Sequence, residues 1–583
     1  MTLTARRSAR MIFVACLLGW VGSKGYTALA GSESPVAGPS LLRLATLPIG
    51  AEVTGLHLGD QGELFLNAQH PAGSNRSPFD RATVGYIDGL DFRRLPRDLA
   101  GVPVPGTPKE RESVRVAAGE YRILARAGET LQGAFPDGLG AITAADGERV
   151  IKRSDDPDFN GLVPAGEGRA FLFTAWEDRP GGMSRLALVR KAGRWSVTGE
   201  GSRMLDFSGV RGTWVDCFGT VTPWGTPLAS EEAYAVEKVA AWNDPDADAA
   251  FWRRGVGDLA GYLGYGDPRR AWPNPYRYGY IVEITDPAGA AAPRKRFALG
   301  RFAHENAVVM PDRRTVYLSD DGTGTVLFRF VADEAGDLSA GTLYAARLAQ
   351  DPEETDPAAT GFDVAWIRLG HGGESRIAEW IARFDGVTRA DFTPGGNSYI
   401  TEAEVAAWAA HRRKGQPFPG IDVDDDGRIG EGDIRDPRAV AFLESRRAAA
   451  ALGATAEFRK MEGVNARLEK AESEPPSFLY LAVARIEGAM ADGRGDIRLE
   501  PSPCGAVYRL SLGPDLVARR MEPVAGGRST GGGRGASTPC PADHLANPDN
   551  LVVLPDGRLV VGEDTGYHQS NMVWLIEPSP RRE

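Results

Sequence analysis

The chain has 583 residues, of which 42% are apolar and 25% charged, a globular balance that excludes a mainly disordered protein. Its 72 glycines and 40 prolines favour many turns and short strands over a helical bundle. With 67 basic against 78 acidic residues the net charge is −11, which argues against a nucleic-acid partner and suits a host for cations.

Residues 1–30 read as an export signal. Arg6, Arg7 and Arg10 form a basic head, residues 11–21 an apolar stretch too short to cross a bilayer, and Ala28-Leu29-Ala30 a small-x-small cleavage site. No other segment approaches spanning length, so no stable membrane insertion is expected and the mature protein is expected to be periplasmic or extracellular. The Arg6-Arg7 pair suits the twin-arginine route, but the apolar residues come late, so the route stays open. Cys16 leaves with the signal. Of Cys217, Cys504 and Cys540, two should pair in an oxidising compartment. Cys504 and Cys540 flank the Gly-rich run 526–535 and are the expected disulfide, which leaves Cys217 as a spare thiol in need of an explanation.

Through the rest of the chain the recurrent unit is a tight turn followed by a short apolar strand. Gly59-Asp60-Gln61-Gly62 precedes a strand at 63–67, Pro311-Asp312 one at 315–319, and Pro555-Asp556-Gly557 one at 558–562. Further strands are predicted at 170–174, 186–191, 280–284, 326–331, 480–483 and 572–576. The fold class is therefore mainly β, and the length and scattered repeats favour a β-propeller covering 31–372 and 453–583.

Residues 373–452 break the pattern and read as a helical insertion, with Ile377, Trp380, Ile381 and Phe384 at helical spacing, then Val440 and Leu443. Within it Asp422, Asp424, Asp426, Gly427, Ile429 and Asp433 match an EF-hand calcium loop, with Arg428 at the position that ligates through its carbonyl. Asp433 replaces the usual glutamate, which should weaken the site. Upstream, Thr393, Gly395, Asn397, Thr401 and Glu404 form a decayed partner loop expected to bind weakly or to brace its neighbour.

The chemistry-bearing residues gather in three other places: the run 212–232, the run 300–305 followed by Ser319-Asp320-Asp321, and the run 458–463. A thiol among scattered carboxylates suits a site that mixes a transition metal with harder cations. Residues 212–232 resemble the N-C-x-G-G-x-T-P-W-G-T-x-x-x-x-E-E signature of PhoX-type alkaline phosphatases. Gly300-Arg301-Phe302-Ala303-His304-Glu305 resembles that family's G-R-F-x-H-E, and Ser319-Asp320-Asp321 its G-D-D. Asn547-Pro548-Asp549-Asn550-Leu551 and Gly562-Glu563-Asp564 resemble its P-D-N-L and E-D stretches.

The resemblance implies a secreted propeller phosphatase acting on small phosphate esters, with ferric iron and calcium clustered in the central channel. It implies Cys217 as an iron ligand and Glu305 and Glu462 on metals. Glu231, Glu232, Asp549, Glu563 and Asp564 lie in matched motifs and join the metal-site candidates, while Cys217, Glu305, Lys460 and Glu462 form the expected catalytic set. A monomer is expected. The alternatives are a non-catalytic, calcium-stabilised binding propeller, or another propeller hydrolase such as a lactonase.

Three features depart from the family pattern. Asp216 stands where asparagine is usual. Lys460-Met461-Glu462 replaces R-P-E, so a lysine takes the place of a phosphate-holding arginine, and Arg459 could substitute only if the backbone shifts. Residues 52–71 resemble the family's closing segment, E-x-T-G…Q-H-P-G, yet come first, which reads as a shifted cut point in the closing blade. His304 either orients Glu305 or makes a structural hydrogen bond.

Overall fold

Short apolar strands behind tight turns assemble, among the described residues, into six antiparallel blades: three four-stranded sheets, one five-stranded sheet, and two blades joined through a further strand into a nine-stranded sheet. The computed structural model describes residues 40–131, 133–232, 239, 242–246, 251–394, 396, 398–424, 426–468, 476–529 and 538–578. The export signal, Gly395, Asn397 and residues 530–535 lie outside these residues. The sheets stand radially as the blades of a propeller. Their innermost strands are Glu52–Leu58, Pro157–Pro164, Asp216–Val221, His304–Val309, Met461–Ala466 and Pro548–Val553. Each inner strand packs on the next, and the last packs on the first, so the ring is closed.

The cut point lies in the sixth blade, as expected. Its strands Pro548–Val553, Leu559–Glu563 and Met572–Glu577 are completed by Ser40–Thr46, in the register Leu42↔Leu575 and Thr46↔Met572. Residues 52–69 then build the inner hairpin of the first blade, so the early position of this segment leaves its place in the ring intact.

Neighbouring inner strands share no ladder, and side-chain amides connect them instead. Asn160 Nδ2 donates to Gly55 O at 3.1 Å and to Asn67 Oδ1 at 2.8 Å. Asn306 Nδ2 reaches Val464 O at 2.8 Å, Asn465 Nδ2 reaches Leu551 O at 3.1 Å, and Gly55 N donates to Asn550 Oδ1 at 2.8 Å. Buried backbone groups facing the channel find partners this way, where an orphaned group would cost about 1–3 kcal/mol.

The predicted helices form as Glu374–Ala382, Glu402–Arg413, Arg438–Leu443 and Ser445–Leu452, at the end of a long hairpin, Asp337–Gln350 and Phe362–Gly373, that extends the fourth blade. Among the described residues they have no core of their own. Ile377, Trp380, Trp408 and Phe442 belong to one apolar cluster with Trp214, Tyr276, Phe302 and Leu343 of the blades.

The acidic loop also differs from a helix–loop–helix. Helix Glu402–Arg413 ends well before Asp422, and Arg438–Leu443 starts after Asp433. Pro417, Pro419 and Pro437 explain this, since proline interrupts or begins helices. Ile421 and Ile434 close the loop as an antiparallel bridge. Glu404 caps its helix by accepting from Thr401 N at 2.8 Å and accepts Asp422 N at 3.1 Å, so the upstream loop braces its neighbour. The Cys504–Cys540 disulfide is formed, and Cys217 is buried and free.

Candidate metal centre

Every inner strand carries a candidate ligand at its first or second residue: Glu52, Asp158, Cys217, Glu305, Glu462 and Asp549. The inner strands run parallel around the ring, so these six side chains meet at one end of the channel. In each blade the pairing register breaks beside the ligand: between Thr54 and His57, opposite 157–160, between Asp216 and Gly219, His304 and Asn306, Met461 and Val464, and Pro548 and Leu551. A bulge turns a side chain that would lie against a neighbouring blade toward the axis. Gly55, at the first of these, has φ 63°, and a Cβ there would sit 2.4 Å from Asp158 O. Two residues before Cys217, Glu462 and Asp549 stand Val215, Lys460 and Asn547, at φ 53°, 52° and 42°. Left-handed backbone at a β-branched valine costs of order 1–3 kcal/mol, and it recurs where ligands are aimed.

Cys217 Sγ lies 3.2 Å from Asp158 Oδ2 and 3.1 Å from Glu305 Oε2. Three overlapping groups have ligand atoms within 4.8 Å of one another: Asp158–Glu177–Cys217, Cys217–Glu232–Glu305 and Glu305–Glu462–Asp549. All but the half-buried Glu177 are buried. Burial, then the charges of Asp158 and Glu305, push the Cys217 thiol well above its usual range. Burial and mutual repulsion likewise hold Asp158, Glu305, Glu462 and Asp549 well above the carboxylate range. Glu52 joins them, beside Asp564, Glu177 and Asp158. Among the described residues, Asp158 Oδ1 and Glu305 Oε1 are buried with no hydrogen-bond donor. Buried acceptors without donors, a thiol and like charges at contact distance form a set that cations would satisfy. The residues fit a metal cluster.

Two further candidates have their oxygens engaged elsewhere. Glu231 accepts from Lys295 Nζ at 2.8 Å, Thr213 Oγ1 at 3.0 Å, and the Gly279 and Tyr280 amides at 3.0 and 3.1 Å. Glu563 accepts from Ala546 N, Trp574 Nε1, His568 Nδ1 and Met572 N, all within 3.1 Å. Both carboxylates point into blades, where donors already occupy them. Glu231 faces Asp216 across the hairpin, and Thr213 Oγ1 donates to Asp216 Oδ1 at 2.5 Å. Burial, followed by the charge of Glu231, holds the Asp216 carboxyl well above its usual range.

The T-P-W-G-T element is not at the centre. It is the far turn of the third-blade hairpin, closed by Thr222 N to Thr226 O at 2.9 Å with Gly225 at φ 83°, and it returns the chain so that Glu232 arrives beside Cys217. His304 takes the structural role. Its Nε2 meets Gly300 O at 3.0 Å, its ring stacks on Phe302, and burial lowers its pKa to about 3.

At the open side, Lys460 Nζ lies 2.9 Å from Glu462 Oε1 and 3.7 Å from the part-exposed Asp564. Burial works against its charge, but Glu462, Asp321 and Asp564 outweigh it and keep the ammonium protonated well above its ordinary range. Arg459 turns away, with Nε on Glu487 Oε1 at 2.8 Å and Nη1 on Thr323 Oγ1 at 2.9 Å. Asp158 and Glu177 were missed by sequence reasoning because no motif surrounds them. Glu52 was visible as part of E-x-T-G, without a role.

A closed six-bladed propeller whose inner strands converge on a thiol and a ring of buried carboxylates defines a channel-centred metalloprotein. A model of the family described as alkaline phosphatase PhoX matches residues 190–580. The chain belongs to this family of metal-dependent phosphoric ester hydrolases. Among solved structures, Pseudomonas fluorescens PhoX in complex with vanadate, a transition state analogue, is similar at 21% identity, covering 78% of this chain and 83% of that one, TM-score 0.52. A Trichoderma reesei carbohydrate-active enzyme of family AA12 aligns at 12% identity over 93% of this chain and 97% of that one, with a TM-score of 0.32 that carries no argument. No curated protein sequence matches the chain.

Proposed function

We propose that this chain is an exported phosphatase that hydrolyses small phosphate esters at a mixed ferric-iron and calcium centre in the propeller channel. The observation that carries the reading is the delivery of six candidate ligands, one per inner strand, to one end of the channel. Cys217 with Asp158, Glu177, Glu232 and Glu305 would hold iron, because a thiolate suits a transition metal. Glu305, Glu462 and Asp549, with Glu52 adjacent, offer the hard oxygens that calcium takes. Bound cations supply neutralisation of phosphate oxygens and of the charge that develops during transfer.

The chain's own residues do the rest. The Lys460 ammonium, 26% exposed beside Glu462, donates to a phosphate oxygen entering from solvent. Asp564, 42% exposed at the same mouth, steadies that ammonium from the solvent side. The bulges and left-handed residues fix the ligands before substrate arrives, so little reorganisation accompanies the reaction. A separate calcium is proposed at Asp422, Asp424, Asp426, the Arg428 carbonyl and Asp433, stabilising the helical segment; the Asp422, Asp424 and Asp433 oxygens already lie within 4.8 Å of one another.

The test is elemental analysis of the purified protein for iron and calcium, with release of p-nitrophenol from its phosphate ester before and after chelation. Both metals and a chelator-sensitive activity are expected. A protein without iron, or with hydrolysis indifferent to chelation, refutes the proposal.

A further inference from the structure

Arg446, the second residue of helix Ser445–Leu452, is buried and reaches out of the helical segment into the fourth blade. Its Nε donates to Asp320 Oδ2 at 2.8 Å. One terminal nitrogen donates to the other Asp320 oxygen and, at 2.7 Å, to the main-chain oxygen of Asp321. The turn gripped in this way touches the metal centre from two sides. Asp321 N donates to Ala303 O at 2.8 Å, two residues ahead of Glu305, and Gly322 O accepts Lys460 N at 2.8 Å. That last bond pins the backbone of Lys460 in its left-handed conformation, φ 52°.

The base of the arginine is equally constrained. Ser445 Oγ accepts Arg301 N at 2.9 Å and donates to Ala441 O at 2.8 Å, while Glu444 Oε1 accepts the Tyr276 hydroxyl at 2.7 Å. Tyr276 Oη in turn accepts Ile400 N at 3.0 Å, so the helical segment and the blades hold the arginine between them. A buried ion pair adds little net stability compared with apolar residues of similar volume, so stability does not account for such a placement. We propose that Arg446 is a positioning residue through which the helical segment sets the placement of Lys460, and with it the affinity for phosphate. The proposal rests on the assignment of Lys460 to substrate phosphate.

The test compares wild type with Arg446→Met, Arg446→Lys and the double variant Arg446→Met/Asp320→Leu, each loaded with metals. Thermal midpoint, Kd for inorganic phosphate by calorimetry, and kcat and KM for p-nitrophenyl phosphate are measured. The single Met variant strands Asp320 and loses thermal stability, whereas the double variant removes both charges and recovers most of it. Phosphate affinity separates the roles. In the double variant Kd and KM rise about tenfold, the loss of one placed charge-assisted contact, while kcat stays within about threefold. Arg446→Lys retains part of the affinity, since a lysine can reach one of the acceptors but not all. If the single Met variant fails to fold, the double variant still decides the matter. A double variant that regains wild-type phosphate affinity along with its stability overturns the positioning role and leaves the phosphatase reading standing. A metal-loaded wild type that neither binds phosphate nor hydrolyses the ester takes both down.

Discussion

Replacing Lys460 by alanine tests the substrate-facing side of the centre. The ammonium lies 2.9 Å from Glu462 Oε1 and 3.7 Å from Asp564, and carries the positive charge beside Glu462, Asp321 and Asp564. A hydrogen bond to a charged group contributes about 1.5–3 kcal/mol, so losing the phosphate contact should lower kcat/KM about 10- to 150-fold. Removing a cation from among carboxylates should leave metal content unchanged or raised, which separates this effect from collapse of the cluster. Lys460→Arg should match or exceed wild type, because a guanidinium can grip two phosphate oxygens. Arg459→Ala should stay near wild type, since Arg459 is committed to Glu487 and Thr323. Steady-state kinetics on p-nitrophenyl phosphate, with iron and calcium measured per chain, decide the point. Equal kcat/KM in wild type and Lys460→Ala would refute the assignment, and a selective loss in Arg459→Ala would move the role to that residue.

Cys217→Ser should lose iron and most activity while the fold persists, because Sγ contacts both Asp158 and Glu305 at the centre; full iron retention by elemental analysis would sink the ligand role. Asp422→Ala with Asp424→Ala should abolish the calcium-dependent rise in thermal midpoint but leave turnover nearly intact, on the proposal that calcium at this loop stabilises by mass action alone; a double variant as inactive as chelated protein would make that loop part of the active site. Metal-free protein should respond to pH in a definite direction. Asp158, Glu305, Glu462, Asp549 and Glu52 have folded pKa values raised by burial and by one another, so their stabilising neutral forms are complete below the unfolded value of about 4 and are lost as pH rises through the folded values. The thermal midpoint of the stripped protein should therefore fall as pH rises above about 4 and be restored by iron and calcium with release of protons; calorimetry showing a midpoint that rises with pH would contradict the buried-carboxylate cluster.

Local signals in the sequence were enough for the strand-and-turn texture, the helical segment and the cysteine pairing, because alternation, Asp-Gly and Pro-Asp turns and helical spacing are properties of a few consecutive residues. Cys217, Glu305, Glu462 and Asp549 were legible for a related reason: each sits in a short stretch whose neighbours also shape the strand start. Asp158 and Glu177 were not, since they lie in ordinary strand-end sequence and become part of the centre only when the ring closes and brings the second blade beside the third. Glu231 and Glu563 show the converse. They look like ligands in their motifs, yet Lys295, Gly279 and Tyr280 in one case and Trp574 and His568 in the other occupy their oxygens, and sequence does not reveal those donors. T-P-W-G-T is the far turn of its hairpin and returns Glu232 to the channel. Sequence by itself determined which residue types were available and where the chain could turn. Which carboxylates face the axis and which are capped inside a blade was decided by the ring, because six strand ends converge only when the first and last strands of the chain meet in one sheet.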